Sequence, residues 1–410
     1  MNHHHFILET QKLKDIAISL KNKIETGLCE ENTEVQCIPT FITPKVTGVG
    51  GKAVVLDLGG TNYRVAKVDF TGKEPVIHPN NGWKIDLSIM KEAGFTQDDL
   101  LRQMADPIDE LHHEENMPIG YCFSYPAECL PNGDAKLLRW TKGVSINEMV
   151  NNPVGQPLLD YLNGKHQKKF TAIKVINDTV ASLFAGLADS NHDAYIGLIV
   201  GTGTNMASFV RADKVKKLDW KMLQRENSAI TPDSLIPINL ESGNFNPPHL
   251  TNVDAIVDAL SDNRGAQRFE KAVSGMYLGE VLKAVFTTDE LEPKFDAQKL
   301  TSIINYPDAY KEKYVDAARH IYERSAKLVA ASLAGLILVL VSHDSTIKKV
   351  CLTAEGSLFW SKVNKGDSYK DVVSAELDNL LKEFGYQDIV VSMKPIDNAN
   401  LIGTAVAALS

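Results

Sequence analysis

Apolar residues recur at Leu13, Ile16, Leu20 and Ile24. That spacing predicts an amphipathic helix near the N-terminus, with Gly27 as its C-cap. A connector from Phe41 to Gly51 follows, holding Thr43, Pro44, Gly48 and Gly50. It leads into VVLDLGGTNYRVAKV, Val54 to Val68. This apolar run contains Asp57, stops at Gly59-Gly60-Thr61-Asn62, and resumes with Tyr63, Val65 and Val68, which reads as strand, tight turn, strand. The same grammar returns in AYIGLIVGTGTNMASFV, Ala194 to Val210. Gly60-Thr61-Asn62 and Gly203-Thr204-Asn205 stand 143 residues apart, which suggests two similarly built domains, each presenting a glycine-threonine turn. FTAIKVI, Phe170 to Ile176, predicts another strand, and Val180, Leu183, Phe184 and Leu187 mark a helix after it. The most apolar run, Leu328 to Val341, is too short to span a bilayer and predicts a buried helix. Alternation of strand-like and helix-like segments to the C-terminus argues an α/β architecture.

Composition narrows the picture. A chain of 410 residues has room for two cores, and 44% hydrophobic with 23% charged residues suits a water-soluble globular protein. The net charge of -9 argues against a general nucleic-acid binder. Cys29, Cys37, Cys122, Cys129 and Cys351 show no CxxC pairing and are odd in number. They read as reduced thiols of a cytoplasmic protein, not as a disulfide frame or zinc site. Nothing identifies Cys122 or Cys129 as a nucleophile. The first thirty residues hold several charges and no secretory apolar stretch.

The two glycine turns differ from the common phosphate loops. A P-loop requires GxxxxGK[ST] and a dinucleotide fingerprint GxGxxG, each opening a helix. Here a strand follows. Such a hairpin lets backbone amides approach an anion closely, with Thr61 adding a hydroxyl and Asp57 able to hold magnesium through water. A plain Gly-Gly hairpin turn is the ordinary alternative.

FSYPAECLPNGDAKLLRWTKGVSI (Phe123 to Ile146), followed by VINDTVASLFAGLAD (Val175 to Asp189), resembles the hexokinase family. The matching positions are Phe123-Ser124-Tyr125-Pro126, Gly133, Leu137-Leu138 and Trp140-Thr141-Lys142-Gly143. Leu56 to Arg64, Ile199 to Asn205, INLESGNF (Ile238 to Phe245) and FEKAVSGMYLGE (Phe269 to Glu280) are similar to further family segments, in the family's order. The resemblance implies an actin-like, ribonuclease-H-like α/β fold of two domains with the ligand cleft between them. It implies a small domain over 46–176 plus 395–410 and a large one over 6–45 plus 177–394. It also implies ATP and magnesium as cofactors, and transfer of the γ-phosphoryl of MgATP to the 6-hydroxyl of glucose and similar hexoses, the first step of glycolysis.

The resemblance gives individual residues roles. Asp178 accepts the proton from the sugar's 6-hydroxyl, and Lys142 contacts sugar and helps with charge on the transferring phosphoryl. Ser124, Thr141, Asn177, Asn205, Glu241 and Glu270 join them around the hexose. Asp57, Gly59, Gly60, Thr61, Asn62, Arg64, Gly201, Thr202 and Gly203 surround the phosphates. LTAEGSLF, Leu352 to Phe359, supplies Gly356 and Ser357 on the adenosine side. Magnesium is expected near Asp57 and Asp178, through water and ATP. Each position has an ordinary alternative. Asp178 would serve as a helix N-cap, Lys142 as a solvated lysine, Glu270 as a solvated helix carboxylate, Glu241 as a strand-end one, and Gly356-Ser357 as a simple turn.

Two departures from the family pattern stand out: Ser242 where tryptophan is frequent, and Glu355 where aspartate is usual. A catalytically weak sugar sensor of the same fold is the competing function, but Asp178 and Lys142 are both present and no DNA-binding unit is visible. The expected partners are hexose and ATP, with no nucleic acid and no membrane. Monomer and homodimer are both left open.

Overall fold

The computed structural model describes residues 6–44, 50–60, 62–72, 74–111, 114–164, 169–188, 191–286, 296–364 and 366–410. Its strands, in chain order, are β1 (Ile38–Pro39), β2 (Lys52–Leu58), β3 (Asn62–Asp69), β4 (Val76–Asp86), β5 (Met117–Phe123), β6 (Ala127–Cys129), β7 (Ala135–Leu137), β8 (Phe170–Ile176), β9 (Ala194–Val200), β10 (Thr204–Arg211), β11 (Leu235–Asn239), β12 (Lys349–Glu355) and β13 (Val390–Lys394). One sheet has the order β4-β3-β2-β5-β8, and a second has β1-β11-β10-β9-β12-β13. In the first, β2, β3 and β4 form an antiparallel meander and β5 and β8 add in parallel. The second repeats this plan, with β9, β10 and β11 antiparallel and β12 and β13 parallel. The repeated turn in the sequence is the visible trace of a repeated topology.

Both hairpins follow from alternation. In β3, Tyr63, Val65 and Val68 are buried under the first core, or beside it, while Arg64 and Lys67 are only half covered. The helix expected over Leu13 to Ile24 runs Thr10–Cys29 and buries Leu13, Ile16, Leu20 and Ile24. Gly27 is not its C-cap. It lies inside the last turn, where a Cβ would sit 2.1 Å from the Val35 carbonyl oxygen; the cap is Glu30. The apolar run Leu328 to Val341 is part of a longer helix, Glu312–His343. By length and composition that helix could cross a bilayer, yet 89% of its apolar window is buried in protein. It packs on helices Thr10–Cys29 and Tyr369–Glu383 as the spine of the larger core.

The two sheets exchange helices. Helix Asp178–Ala185 leaves the end of the first sheet and packs on β9, β10 and β12 of the second. Helix Ala399–Leu409 leaves the second sheet and packs on β2, β5 and β8 of the first. The two helices also pack on each other. The crossing carries the chain from one domain to the other and places Asp178 at their junction. The five cysteines remain thiols.

Candidate active site

Strand β8 ends at Ile176, and Asn177 is extended, so its side chain is free to cap the following helix. Its Oδ1 accepts from the Thr179 N–H at 2.8 Å. The capping role open to Asp178 in the sequence therefore belongs to Asn177, typically a contribution of about 1 kcal/mol. Asp178 is the first helical residue. Its Oδ1 also accepts from Thr179 N at 2.8 Å. Burial raises the Asp178 pKa above the ordinary carboxylate value, opposed by the charge of Lys142 and the Thr179 hydrogen bonds and reinforced by the charge of Asp57. A carboxylate so placed is a better proton acceptor than a free one.

The first domain brings Lys142 to this junction. Lys142 has a left-handed backbone, φ 59°, and its Nζ donates to the Ser124 carbonyl at 2.8 Å. The same Nζ lies 5.0 Å from the centre of the Tyr125 ring. Tyr125 in turn donates to the carbonyls of Gly59 and Gly60 at 3.0 and 2.8 Å. The segment from Ser124 to Lys142 and the first glycine turn are thus one packed unit. Trp140 supports it, edge-on to Tyr125 at 4.8 Å and donating from Nε1 to the Ile146 carbonyl. Thr141 is half-buried beside Lys142, and its carbonyl accepts from Val144 N at 3.2 Å. Asp57 is nearly buried on β2, where Arg64 holds its Oδ2 through Nε at 2.9 Å and Nη2 at 2.5 Å. Asn62 opens β3 and is exposed. Thr61 lies outside the described residues.

The second domain brings a chain of amides and carboxylates. Asn205 sits on β10, Asn239 closes β11, and Glu241 follows in a left-handed turn at φ 54°. Non-glycine residues in that conformation carry strain and gather at functional sites. Glu270, on helix Arg268–Val273, accepts at Oε2 from Thr204 N at 3.0 Å. Burial raises the pKa of both Glu241 and Glu270. The charges of Asp178 and Glu270 push Glu241 further up, and the Asn239 hydrogen bond opposes. Glu241 and Glu270 are therefore not solvated surface groups.

The second glycine turn faces the β12 end. Gly275 N donates to the Gly201 carbonyl at 2.7 Å and Met276 N to the Thr202 carbonyl at 3.3 Å. A Cβ at Gly203 would lie 2.7 Å from Glu270 Oε2, so the turn and the Glu270 carboxylate share space. Gly356 has φ 110°, and a Cβ there would meet the Val200 carbonyl at 2.2 Å, so no side chain fits. Thr202 and Ser357 are exposed on either side. Glu355, the departure from the family pattern, is drawn into the same cluster. Burial, then the charges of Asp178 and Asp57, push its pKa up to about 7 against the pull of Arg64.

The structure brings Asp57, Lys142, Asp178, Glu241, Glu270 and Glu355 within electrostatic reach of one another in linked pairs. Two contributors were not singled out from sequence. Asn239 is an amide that ends the apolar run of a strand, two residues before Glu241 on the same face, and that was its signal. Tyr125 was visible only as part of a motif. Burial pushes the Cys129 thiol up to about 11 and Cys122 well above its ordinary value, which removes both as nucleophiles near neutral pH.

Two α/β domains of one topology, exchanging helices around a half-buried carboxylate and a lysine, define a phosphotransferase of the actin-like ATPase fold. A family model described as hexokinase matches residues 2–187, and a second hexokinase model matches 195–291 and 297–410. The chain belongs to the hexokinase family and is a kinase that transfers phosphate to hexose. It is 27% identical to Hexokinase-9 of Oryza sativa subsp. japonica over 97% of this chain and 86% of that protein. To Hexokinase-1 of Saccharomyces cerevisiae it is 31% identical over 68% of this chain and 59% of that protein. Among solved structures, a hexokinase from Schistosoma mansoni complexed with glucose shares its fold, with a TM-score of 0.77 and 23% identity over 99% of this chain and 97% of that one. Another hexokinase crystal structure superposes with a TM-score of 0.81 at 20% identity, again over 99% of this chain and 97% of that one.

Proposed function

We propose that this hexokinase transfers the γ-phosphoryl group of MgATP to the 6-hydroxyl of glucose and similar hexoses. The observation that carries the reading is Asp178, a carboxylate of raised pKa opposed by the Lys142 charge, at the junction of the two domains. Asp178 would orient the hydroxyl and take its proton late in the transfer, because phosphoryl transfer asks for positioning and charge stabilisation. Lys142 would offset negative charge at the transferring group. Ser124, Thr141, Asn177, Asn205, Glu241 and Glu270 would pair the sugar hydroxyls, which need fixed donors and acceptors.

The phosphate groups would lie against the turns at Gly59, Gly60, Thr61, Asn62 and Arg64 and at Gly201, Thr202 and Gly203, with Gly356 and Ser357 on the adenosine side. Gly356 brings the β12 end against the Val200 carbonyl and so against the second glycine turn, which supports placing both at one ligand. Among the described residues no three His, Cys, Asp or Glu side chains are grouped to hold a metal by themselves. The mutual charges of Asp57, Asp178 and Glu355 still favour a cation. Asp57 and Asp178 would hold magnesium through water and the nucleotide, where the ion neutralises phosphate charge. The sheets support a small domain of 46–176 with 395–410 and a large one of 6–45 with 177–394. Net charge -9 supports an enzyme that acts without nucleic acid, and five thiols support a cytoplasmic one.

The test is hexose-dependent ADP release with MgATP over glucose, mannose, fructose, glucosamine and N-acetylglucosamine. Glucose is expected to drive turnover that EDTA abolishes and added magnesium restores. Asp178→Ala should lower kcat by roughly 10²–10⁴ while glucose still binds by calorimetry. Full activity in that variant would end its role as base. Absence of ADP release with every sugar would end the kinase reading of the site.

A further inference from the structure

Asn239 is 6% exposed at the end of β11, and it joins two residues placed at the hexose. Its register partner across the sheet is Ala207 on β10, so Asn205 lies diagonally opposite, within reach on the same face. Asn205 Nδ2 donates to Asn239 Oδ1 at 2.8 Å, and Asn239 Nδ2 donates to Glu241 Oε1 at 2.7 Å. The direction of this chain is fixed by backbone. Asn205 Oδ1 accepts from two main-chain N–H groups, Met206 at 2.8 Å and Ser242 at 3.1 Å. Its other end must therefore be the NH₂, which requires the oxygen of Asn239, which turns the NH₂ of Asn239 towards Glu241. Glu241 is then met by a donor and held as an acceptor.

Glu241 needs such a partner. It stands in a left-handed turn, half-buried, with Asp178 and Glu270 adding negative charge around it and the Arg139 charge opposing them more weakly. No lysine or arginine side chain is hydrogen-bonded to it among the described residues. Without the Asn239 amide, one of its oxygens would be left unsatisfied, and Glu241 would take up a proton or turn away.

We propose that Asn239 is a positioning residue of the hexokinase reaction. It fixes Asn205 as a donor and Glu241 as an acceptor towards the sugar, and so sets which hydroxyl pattern the site accepts. The inference rests on the placement of the hexose at Asn205 and Glu241. Asn239 itself need not touch the sugar.

The experiment compares Asn239→Ala, Asn239→Asp and Glu241→Ala in the full-length chain, with KM for glucose, KM for ATP and kcat measured from pH 5.5 to 8.5. Asn239→Ala is expected to raise KM for glucose about tenfold or more, the scale of one hydrogen bond to a charged group, with KM for ATP within about twofold. Asn239→Asp keeps the shape and places a second carboxylate against Glu241. The pair would share a proton at low pH and repel once it is lost. Its kcat/KM for glucose should fall as pH rises, along a limb absent from the parent protein. A purely structural asparagine would lower the folded fraction without splitting the two KM values or adding that limb. Should Asn239→Ala fail to fold, the aspartate variant alone decides. Unchanged glucose KM and pH profile in the Asn239 variants, with glucose KM raised in Glu241→Ala, would overturn the relay. Unchanged glucose KM in Glu241→Ala as well would overturn both the relay and the sugar site beneath it.

Discussion

Glu355 is a residue whose protonation should be visible in stability near neutral pH. Burial, Asp178 and Asp57 raise it from 4.5 to about 7, while Arg64 and the Asn400 N–H oppose. In the unfolded chain it titrates near 4.5. Between those values the folded protein keeps a proton that the unfolded chain has released, so folding stability falls as pH rises through this window. The contribution is fully present below the lower value and lost above the upper one, on the order of 3 kcal/mol for a shift of this size. Glu355→Gln removes the titration. Its Tm is expected to fall less than the parent's between pH 5 and 7.5, leaving the variant the more stable of the two at pH 7.5. Asp178, Glu241 and Glu270 are also raised, so the parent curve slopes for several reasons and only the difference between the two proteins reports Glu355. Parallel thermal-unfolding curves across that range would contradict the assignment.

The decisive contact between elements is the crossing of the two exchanged helices. At Gly403 a Cβ would lie 1.8 Å from the Ala181 carbonyl oxygen and 2.8 Å from Ala185 N. Gly403→Ala must therefore push helix Ala399–Leu409 away from helix Asp178–Ala185, at a cost of roughly 1–3 kcal/mol or more. Asp178 heads the displaced helix, so kcat should fall together with stability; urea unfolding and glucose turnover on the same preparation check both. That crossing was not legible in the sequence. Periodicity reports which face of a helix is apolar, not which partner covers it, and the same limit made Gly27 look like a cap when it is a close approach to Val35. The hairpins were legible because Tyr63, Val65 and Val68 alternate, and the duplicated plan because Gly203-Thr204-Asn205 repeats Gly60-Thr61-Asn62. At the site, the residues that carry charge were legible as motif members. The amide that orients them, Asn239, was not, because its role lies in a cross-strand diagonal that only the β10–β11 register creates.

At the scale of the whole molecule, the groups placed at the sugar come from two bodies. Ser124, Thr141 and Lys142 belong with the first sheet, and Asn205, Glu241 and Glu270 with the second. The chain passes between the sheets from β1 to β2, at Asn177 after β8, and after β13, and the last two crossings each lead into one of the packed helices. Rotation about that helix pair would move Lys142 relative to Glu241 without disturbing either core. A hexose held from both sides would tie the domains together and favour the closed arrangement by its differential contacts. Closure also excludes water, the competing phosphoryl acceptor. Saturating glucose is expected to reduce the radius of gyration in small-angle scattering and to raise Tm. A ligand at a hundred times its Kd stabilises the folded state by about 2.7 kcal/mol. Glu241→Ala breaks the tie on one side and should lose most of both changes at the same glucose concentration. If glucose raises Tm with no change in radius of gyration, closure on the sugar is overturned: either the sugar binds to one domain alone or the site is assembled before the substrate arrives.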